Sequence, residues 1–451
     1  VSVETDQVGA AKPVRATLGQ LASYSSGSLG MGVWVTVPGL LLLYFMTHTL
    51  GVSPLLAGLT LLLPKVIDAV VHPFLGSLSD RQARAHGHRR RMMWWGLGLA
   101  IAMTAMFSVP PALEGAGAAV WIGAWYIVGN LLFACFQVPY LTTPSDLKIS
   151  YHERTRVFMF RMMFLTVGLL GAGVAAPALV KSGERGDYAQ MAIILSVAMV
   201  VTGVIGILGV RRLTEHTGVV QPDAHDHSFA EDFRVAVRDR DFRALVLSYL
   251  FTGTVTHLFL AAVPFYTQYV FGSSGLTSLF MGAFLGPAVI AGPMWLAVSR
   301  RIGKHRGLLL SQLIFIVGSL VLMAGGLLGV AITVVVVVML GTSFAGLQLF
   351  AFSMVPDAVA AAEKRGTSRA GAYTGVWTAT EATGTAIGPY VYSAVLAIGG
   401  FVSTTAGVDV VQTDSAQAAL VIGFTLVPAV LMAVAMVFQA RYRLDGAAPK
   451  E

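Results

Sequence analysis

Lys65, Asp68 and His72 stand at i, i+3 and i+7 within the apolar run 54–79, and so share one face of a helix. A carboxylate at bilayer depth costs roughly 2.5–3.5 kcal/mol even on lenient insertion scales, and such groups usually face a polar cavity and handle ions or protons. Two readings follow. In one, Asp68 is the coupling-ion carboxylate, and Lys65 tunes its proton affinity or meets substrate. In the other, the cluster is a buried ion pair that fixes helix packing. Imidazole titrates near neutrality, which suits His72 to a proton; the alternative is a ring bonded to a neighbouring carbonyl. Arg161, inside another apolar run, has a guanidinium able to clamp a carboxylate or phosphate, or to be held by Asp146 or by carbonyls. Glu381, flanked by Thr380, Thr383 and Thr385, reads as a second proton site, a substrate ligand, or interhelical glue. Trp377, one turn earlier, suits stacking on a substrate or anchoring at the membrane interface.

The elements that must hold these residues are membrane spans. The 451 residues are 55% hydrophobic and 12% charged, with a mean hydropathy of +0.73, far more apolar than a soluble domain. Apolar runs fall near 18–46, 54–79, 92–110, 119–143, 157–180, 189–210, 244–271, 277–298, 307–327, 330–355, 370–398 and 416–438. Each is able to cross a hydrocarbon core of about 30 Å as a helix. The expectation is an all-α, multi-pass integral membrane protein with twelve transmembrane helices.

Basic residues sort by loop. Of the 30 Lys and Arg, all but Lys65, Arg161, Lys181 and Arg185 fall in the termini and in the loops after even-numbered spans. By the positive-inside rule both termini are cytoplasmic, and a bacterial inner (plasma) membrane is the expected location. Topology thus accounts for the formal charge of +7 without a nucleic-acid partner. The single cysteine, Cys135, excludes an intrachain disulfide and a multi-cysteine metal site. Residues 1–17 are polar and the first apolar run is too long for a cleaved signal, so it reads as the first retained span. His216, His225 and His227 lie in a hydrophilic loop and read as solvated. The Gly-rich stretch from Gly168 to Gly173 reads as tight helix packing. No nucleotide-binding fingerprint is present, which argues against an ATP-driven pump.

The long polar connection at 211–243 divides the chain into an N-terminal bundle, residues 1–210, and a C-terminal one, residues 244–451. After its second span each half carries a similar basic sentence: Gly76-Ser77-Leu78-Ser79-Asp80-Arg81 then Gly87-His88-Arg89-Arg90-Arg91, and Gly292-Pro293-Met294-Trp295 then Arg300 through Arg306. Two pseudo-symmetric six-helix bundles mark transporters that rock about a site between the halves. The first sentence resembles the loop signature of the major facilitator superfamily. With Asp68-Ala69 through Pro73-Phe74-Leu75-Gly76, Tyr151 through Arg156 leading to Arg161, and Val355-Pro356-Asp357 followed by Arg369, the chain resembles the glycoside-pentoside-hexuronide:cation symporters, the melibiose-permease-like family.

The resemblance implies a major facilitator fold, alternating access, and a cation-binding role for Asp68. The family's second Asp is His72 here; its sodium-site Asn aligns with Val71, and a fourth-span hydroxyl with Ala134. One carboxylate and an imidazole make a poor sodium cage, so the coupling ion is expected to be a proton, held by Asp68, His72 and Glu381. The family's sugar-binding acids align with Gly32 and Gln137, and its stacking Trp with Leu141. The expected substrate contacts are Lys65, Arg161, Gln137, Trp377 and Tyr140. Asp80, Arg81, Arg84, Asp357, Arg365 and Arg369 are expected to form cytoplasmic charge networks that hold one conformation, or else to signal topology; Arg89 to Arg91 are read as topological signals.

The expected activity is symport of a small polar solute such as a glycoside or uronide, with no enzymatic function, cofactor or metal, by a monomer in contact with membrane lipid. The alternatives are transport of a lysolipid or other amphiphile, export of an amphipathic metabolite, or a non-transporting membrane sensor or assembly factor. A wide cavity lined by Leu and Phe favours the amphiphile; a narrow polar one around Arg161, Gln137 and Glu381 favours the solute.

Overall fold

The structure, a computed structural model, describes residues 15–219, 238–364, 370–408 and 410–443. Twelve helical rods are found among them, labelled in chain order. The N-terminal six are α1 (Leu18–His48), α2 (Pro54–His86), α3 (Arg90–Gly96 continuing as Leu99–Phe107), α4 (Gly115–Asp146), α5 (Tyr151–Leu179) and α6 (Arg185–Thr217). The C-terminal six are α7 (Arg240–Phe271), α8 (Leu276–Ile290 and Gly292–Ile302), α9 (Lys304–Val321), α10 (Gly325–Lys364), α11 (Ala370–Ile398) and α12 (Asp414–Phe424 and Leu426–Gln439). The polar connection is shorter than the sequence suggests: α6 stays helical to Thr217 and α7 already begins at Arg240.

Local sequence sets the rod ends. Thr17 opens α1 with a capping box, Ser150 caps α5, Asp239 caps α7 and Thr413 caps α12, each accepting from backbone N–H groups of the first turn. α2 and α7 stop at Gly87 and Gly272, both in the left-handed region. α1 loosens into a π-turn at Pro38–Leu42, and α8 bends by 56° between its two segments. Six rods or runs (α1, α4 to α7 and α12) and the run Lys304–Ala362, which joins α9 to α10, are long and apolar enough to cross a membrane; the bent α8 makes an eighth. α2, α3 and α11 are not among these runs.

Packing repeats with a shift of six helices. α1 packs on α5 and α6, as α7 packs on α11 and α12; α2 packs on α4, as α8 packs on α10; α3 packs on α4 and α6, as α9 packs on α10 and α12. Between the bundles α2 meets α11 and α5 meets α8, a pair of contacts that the same shift exchanges, and α1 meets α7. Small residues make the closest approaches. A Cβ at Gly32 of α1 would lie 2.7 Å from the backbone of Gly168 and Leu169 on α5, and one at Gly168 would lie 2.7 Å from the Leu29 carbonyl. That is the packing expected of the Gly168 stretch.

The bundles are stitched together at one end. Gly51 N–H donates to Thr404 O (2.9 Å), Thr404 N–H to Thr47 O (2.9 Å) and Ala406 N–H to Thr49 O (3.1 Å). Ser403 and Thr404 hydroxyls donate to Val52 O (2.7 Å) and His48 O (2.8 Å), and Tyr269 meets His48 at 3.3 Å. This end carries the α1–α2 and α11–α12 loops.

Candidate functional site

A cavity of about 470 Å³ lies between the bundles. Its N-terminal wall is Trp34, Pro38, Leu61, Lys65, Asp68, Tyr126, Phe133 and Gln137; its C-terminal wall is His257 of α7 and, from α11, Thr378, Glu381, Thr385 and Pro389. The helical spacing that put Lys65 and Asp68 on one face of α2 puts both here. Asp68 is 6% exposed. Lys65 Nζ donates to Asn130 Oδ1 (2.9 Å) and stands 5.5 Å over the Tyr126 ring, both on α4. It is thus anchored to α4 by a neutral partner and a ring face, which leaves its charge directed at the cavity. Glu381 faces it from the other bundle, near enough to Arg161 for their charges to interact.

Four of the expected residues (Lys65, Asp68, Gln137 and Glu381) therefore meet in one chamber. The His72 side chain lies outside the described residues. Three expectations are corrected. Tyr140 is fully buried inside the N-terminal bundle: its hydroxyl donates to Tyr24 O (2.7 Å) and meets Ser28 Oγ (3.0 Å), while Tyr24 returns a bond to Tyr140 O (3.0 Å). Trp377 stacks on Tyr249 (centroids 4.1 Å apart) with Phe352 edge-on, and does not line the cavity. Arg161 is not among the residues that line the cavity; it stands over the Phe158 ring at 4.8 Å and 3.2 Å from Met162 Sδ, and not on Asp146. In each case the residue type was suited to binding, but the helix turns it toward a neighbour.

The Asp146 carboxylate belongs instead to Arg89, which lies between α2 and α3. Arg89 Nε donates at 2.7 Å and Nη2 at 3.4 Å, and Nη1 reaches Ser79 Oγ at 3.1 Å. The reading of Arg89 as a topological signal is therefore corrected, since it is 7% exposed and ties α2 to α4. Arg90 reaches Glu215 of α6 at 3.5 Å. In the other bundle Lys304 pairs with Asp357 at 2.5 Å. Arg81 and Arg84 are exposed. The Asp80 side chain, Arg365 and Arg369 lie outside the described residues.

Two features were missed. Trp34 gives the cavity an aromatic wall, together with Tyr126 (5.9 Å) and Phe133 (6.3 Å). His257 was passed over inside an apolar run, although the test that singled out Asp68, an ionisable group at bilayer depth, applies to it equally. Gly32, at the position of a family sugar acid, is spent on the α1–α5 contact, so no acid fits there.

Two bundles of six helices related by a six-helix shift, closed over a charged chamber at their interface, are the architecture of a secondary transporter. The chain belongs to the major facilitator family described as MFS/sugar transport protein, whose model matches residues 23–446. It is an integral, multi-pass transport protein and not an enzyme. Similar proteins include the isoprimeverose transporter of Lactiplantibacillus pentosus, 26% identical over 95% of this chain and 89% of that protein. An uncharacterised symporter of Synechocystis sp. is 30% identical, but over only 32% of this chain and 27% of that protein, so the match spans about a quarter of that relative. The sodium-dependent lysophosphatidylcholine symporter 1-A of Danio rerio is 22% identical over 72% of this chain and 66% of its own length. Among solved structures, a bacterial homologue of the lysosomal transporter Spinster, inward-facing and unoccupied, superposes with a TM-score of 0.66 over 95% of this chain and 96% of that one. At 15% identity it speaks for the fold alone.

Proposed function

We propose that the protein is a proton-coupled symporter of a small polar solute of the glycoside or uronide class, working by alternating access in a bacterial inner membrane with both termini in the cytoplasm. The observation that carries this reading is the convergence of Asp68, Lys65, Gln137 and Glu381 on one chamber whose walls belong to both bundles. A chamber of about 470 Å³ falls in the range of about 300–1,000 Å³ typical of small-molecule sites. Trp34 and Phe133 offer an apolar face for a sugar ring, and Gln137 and Glu381 offer hydrogen-bonding groups. Lys65, fixed by Asn130, supplies a cation that favours an anionic solute. Asp68 is the coupling carboxylate: protonated, it is neutral and tolerates bundle closure, whereas ionised it resists desolvation. The sealed end at His48–Val52 and Ser403–Ala406 leaves the opposite, cytoplasmic end as the route of release.

The amphiphile reading draws on the lysolipid symporter among the relatives and on the apolar part of the wall, Trp34, Val35, Pro38, Leu61 and Phe133. Proton flux in proteoliposomes separates the readings. Wild type and Asp68→Asn are compared during addition of isoprimeverose, hexuronides and lysophosphatidylcholine, with and without sodium. The expected result is solute-driven proton uptake in wild type that disappears in Asp68→Asn. Sodium-dependent flux, or flux unchanged in the variant, overturns the coupling assignment; a response to the lysolipid alone favours the amphiphile.

A further inference from the structure

His257 is an ionisable side chain in the middle of α7 with no role in the mechanism above, and it lines the chamber opposite Lys65 and Asp68. Its surroundings are specific. Nδ1 lies 2.9 Å from Gly253 O and Nε2 lies 3.3 Å from Thr385 Oγ1. A carbonyl only accepts, so Nδ1 carries a proton. The Thr385 hydroxyl has a single proton, and it donates at 2.9 Å to Glu381 O. While that proton serves Glu381 O, the Thr385 oxygen can accept from Nε2, and both ring nitrogens then face acceptors, which accommodates an imidazolium; when it turns to Nε2 instead, the ring is neutral. The α7–α11 contact that holds the ring is tight: a Cβ at Gly388 would lie 2.6 Å from Leu258 N and Thr254 O, and 2.9 Å from His257 Cβ.

We propose that His257 is a proton-binding residue of the C-terminal bundle, with Thr385 as the acceptor that holds the proton on Nε2. The proposal rests on the reading of the chamber as a proton-coupled transport site. In the neutral state the Thr385 O–H points to the Nε2 lone pair. On loading, a proton leaves a hydronium in the chamber, an N–H bond forms at Nε2, and Thr385 rotates its own proton to Glu381 O. The ring then donates to Thr385 and keeps its Nδ1 bond to Gly253. The titratable groups that line the chamber with His257 are Lys65 and Asp68 of α2, Tyr126 of α4 and Glu381 of α11. A cation at Lys65 opposes a charged ring, and a carboxylate at Asp68 or Glu381, when ionised, favours one. Loading of His257 is accordingly tied to the ionisation of Glu381 one turn from Thr385, which gives each bundle its own proton-binding group.

The test is magnetic resonance of the full chain in lipid bilayers with isotope-labelled histidine rings, recorded from pH 5 to 8. His257→Gln identifies the His257 signal by its loss. The expected result is an imidazolium signature for His257 at the acid end, and about a tenfold lower proton affinity in Thr385→Val, as expected when a charged donor loses its acceptor. A ring that stays neutral at pH 5, or a titration unchanged in Thr385→Val, overturns the proposal. The readout needs no substrate, so a His257 that titrates normally in a protein without proton flux sinks the symport reading alone. Coupled flux beside a neutral His257 sinks this proposal alone.

Discussion

Replacing Gly32 by alanine tests the central packing claim of the N-terminal bundle. The added Cβ would sit 2.7 Å from Gly168 C and Leu169 N and 2.9 Å from Gly168 Cα. All three are backbone atoms of α5 that have no rotamer to change. Ordinary contact begins near 3.4 Å, so α1 and α5 must part by several tenths of an ångström. Overpacking of this kind costs about 1–3 kcal/mol. Alanine is the better helix former by about 1 kcal/mol, which offsets part of that cost. Gly171, on α5 with nothing within 4 Å of its Cβ position, is the control, because its alanine variant gains propensity without a clash. Thermal unfolding can be followed with a thiol-reactive dye, since Cys135 is the sole cysteine. At about 2–4 °C per kcal/mol for a unit of 150–250 residues, Gly32→Ala should melt a few degrees below wild type and Gly171→Ala at or above it. Gly32→Asp, which restores the acid of the resembling family, should melt lower still and gain no sugar binding. Gly32→Ala melting with wild type, or Gly32→Asp gaining glycoside affinity, would refute the claim that this position is committed to helix packing.

Three further predictions follow from the same geometry. Arg89→Ala strands the largely buried Asp146 carboxylate and should lower stability by up to about 3–5 kcal/mol; Arg89→Lys keeps the charge but loses the fork and should be intermediate, as unfolding in detergent measures. Trp34→Ala removes an aromatic face of the chamber and should raise the solute KM by about tenfold, while Trp377→Phe keeps the Tyr249 stack and should leave KM unchanged; uptake kinetics distinguish them. His88, in the α2–α3 connection, is held below its ordinary value near 6.5 by burial and then by Arg90. Its neutral form is favoured on folding, so this contribution is fully present above about pH 6.5 and is lost as pH falls through the lowered folded value. Melting temperatures between pH 5 and 8 should show a shallower acid decline in His88→Gln.

Desolvation and helical periodicity act along the chain, and what they govern could be read from it. Twelve apolar runs, the basic loops and the contrast between Asp68 and the apolar residues around it needed no tertiary information, because a span must satisfy its own backbone and an ionisable group is costly wherever it enters lipid. Lys65 and Asp68 share a face by spacing alone, and Glu381 announces itself as an acid among threonines. Which face of each rod meets the other bundle is a different question, decided by how helices rotate against their neighbours. Tyr140 turns to Tyr24, Trp377 to Tyr249 and Arg161 to Phe158, although their types equally suited a substrate. Arg89 passes for a loop charge until α4 brings Asp146 beside it. Trp34 and His257 lie far apart in the chain and enter one chamber only because α1 meets α7 and α2 meets α11 across the bundle interface. Gly32 is absent from the site for the same reason, since backbone contact with Gly168 fills the place where a side chain would have pointed.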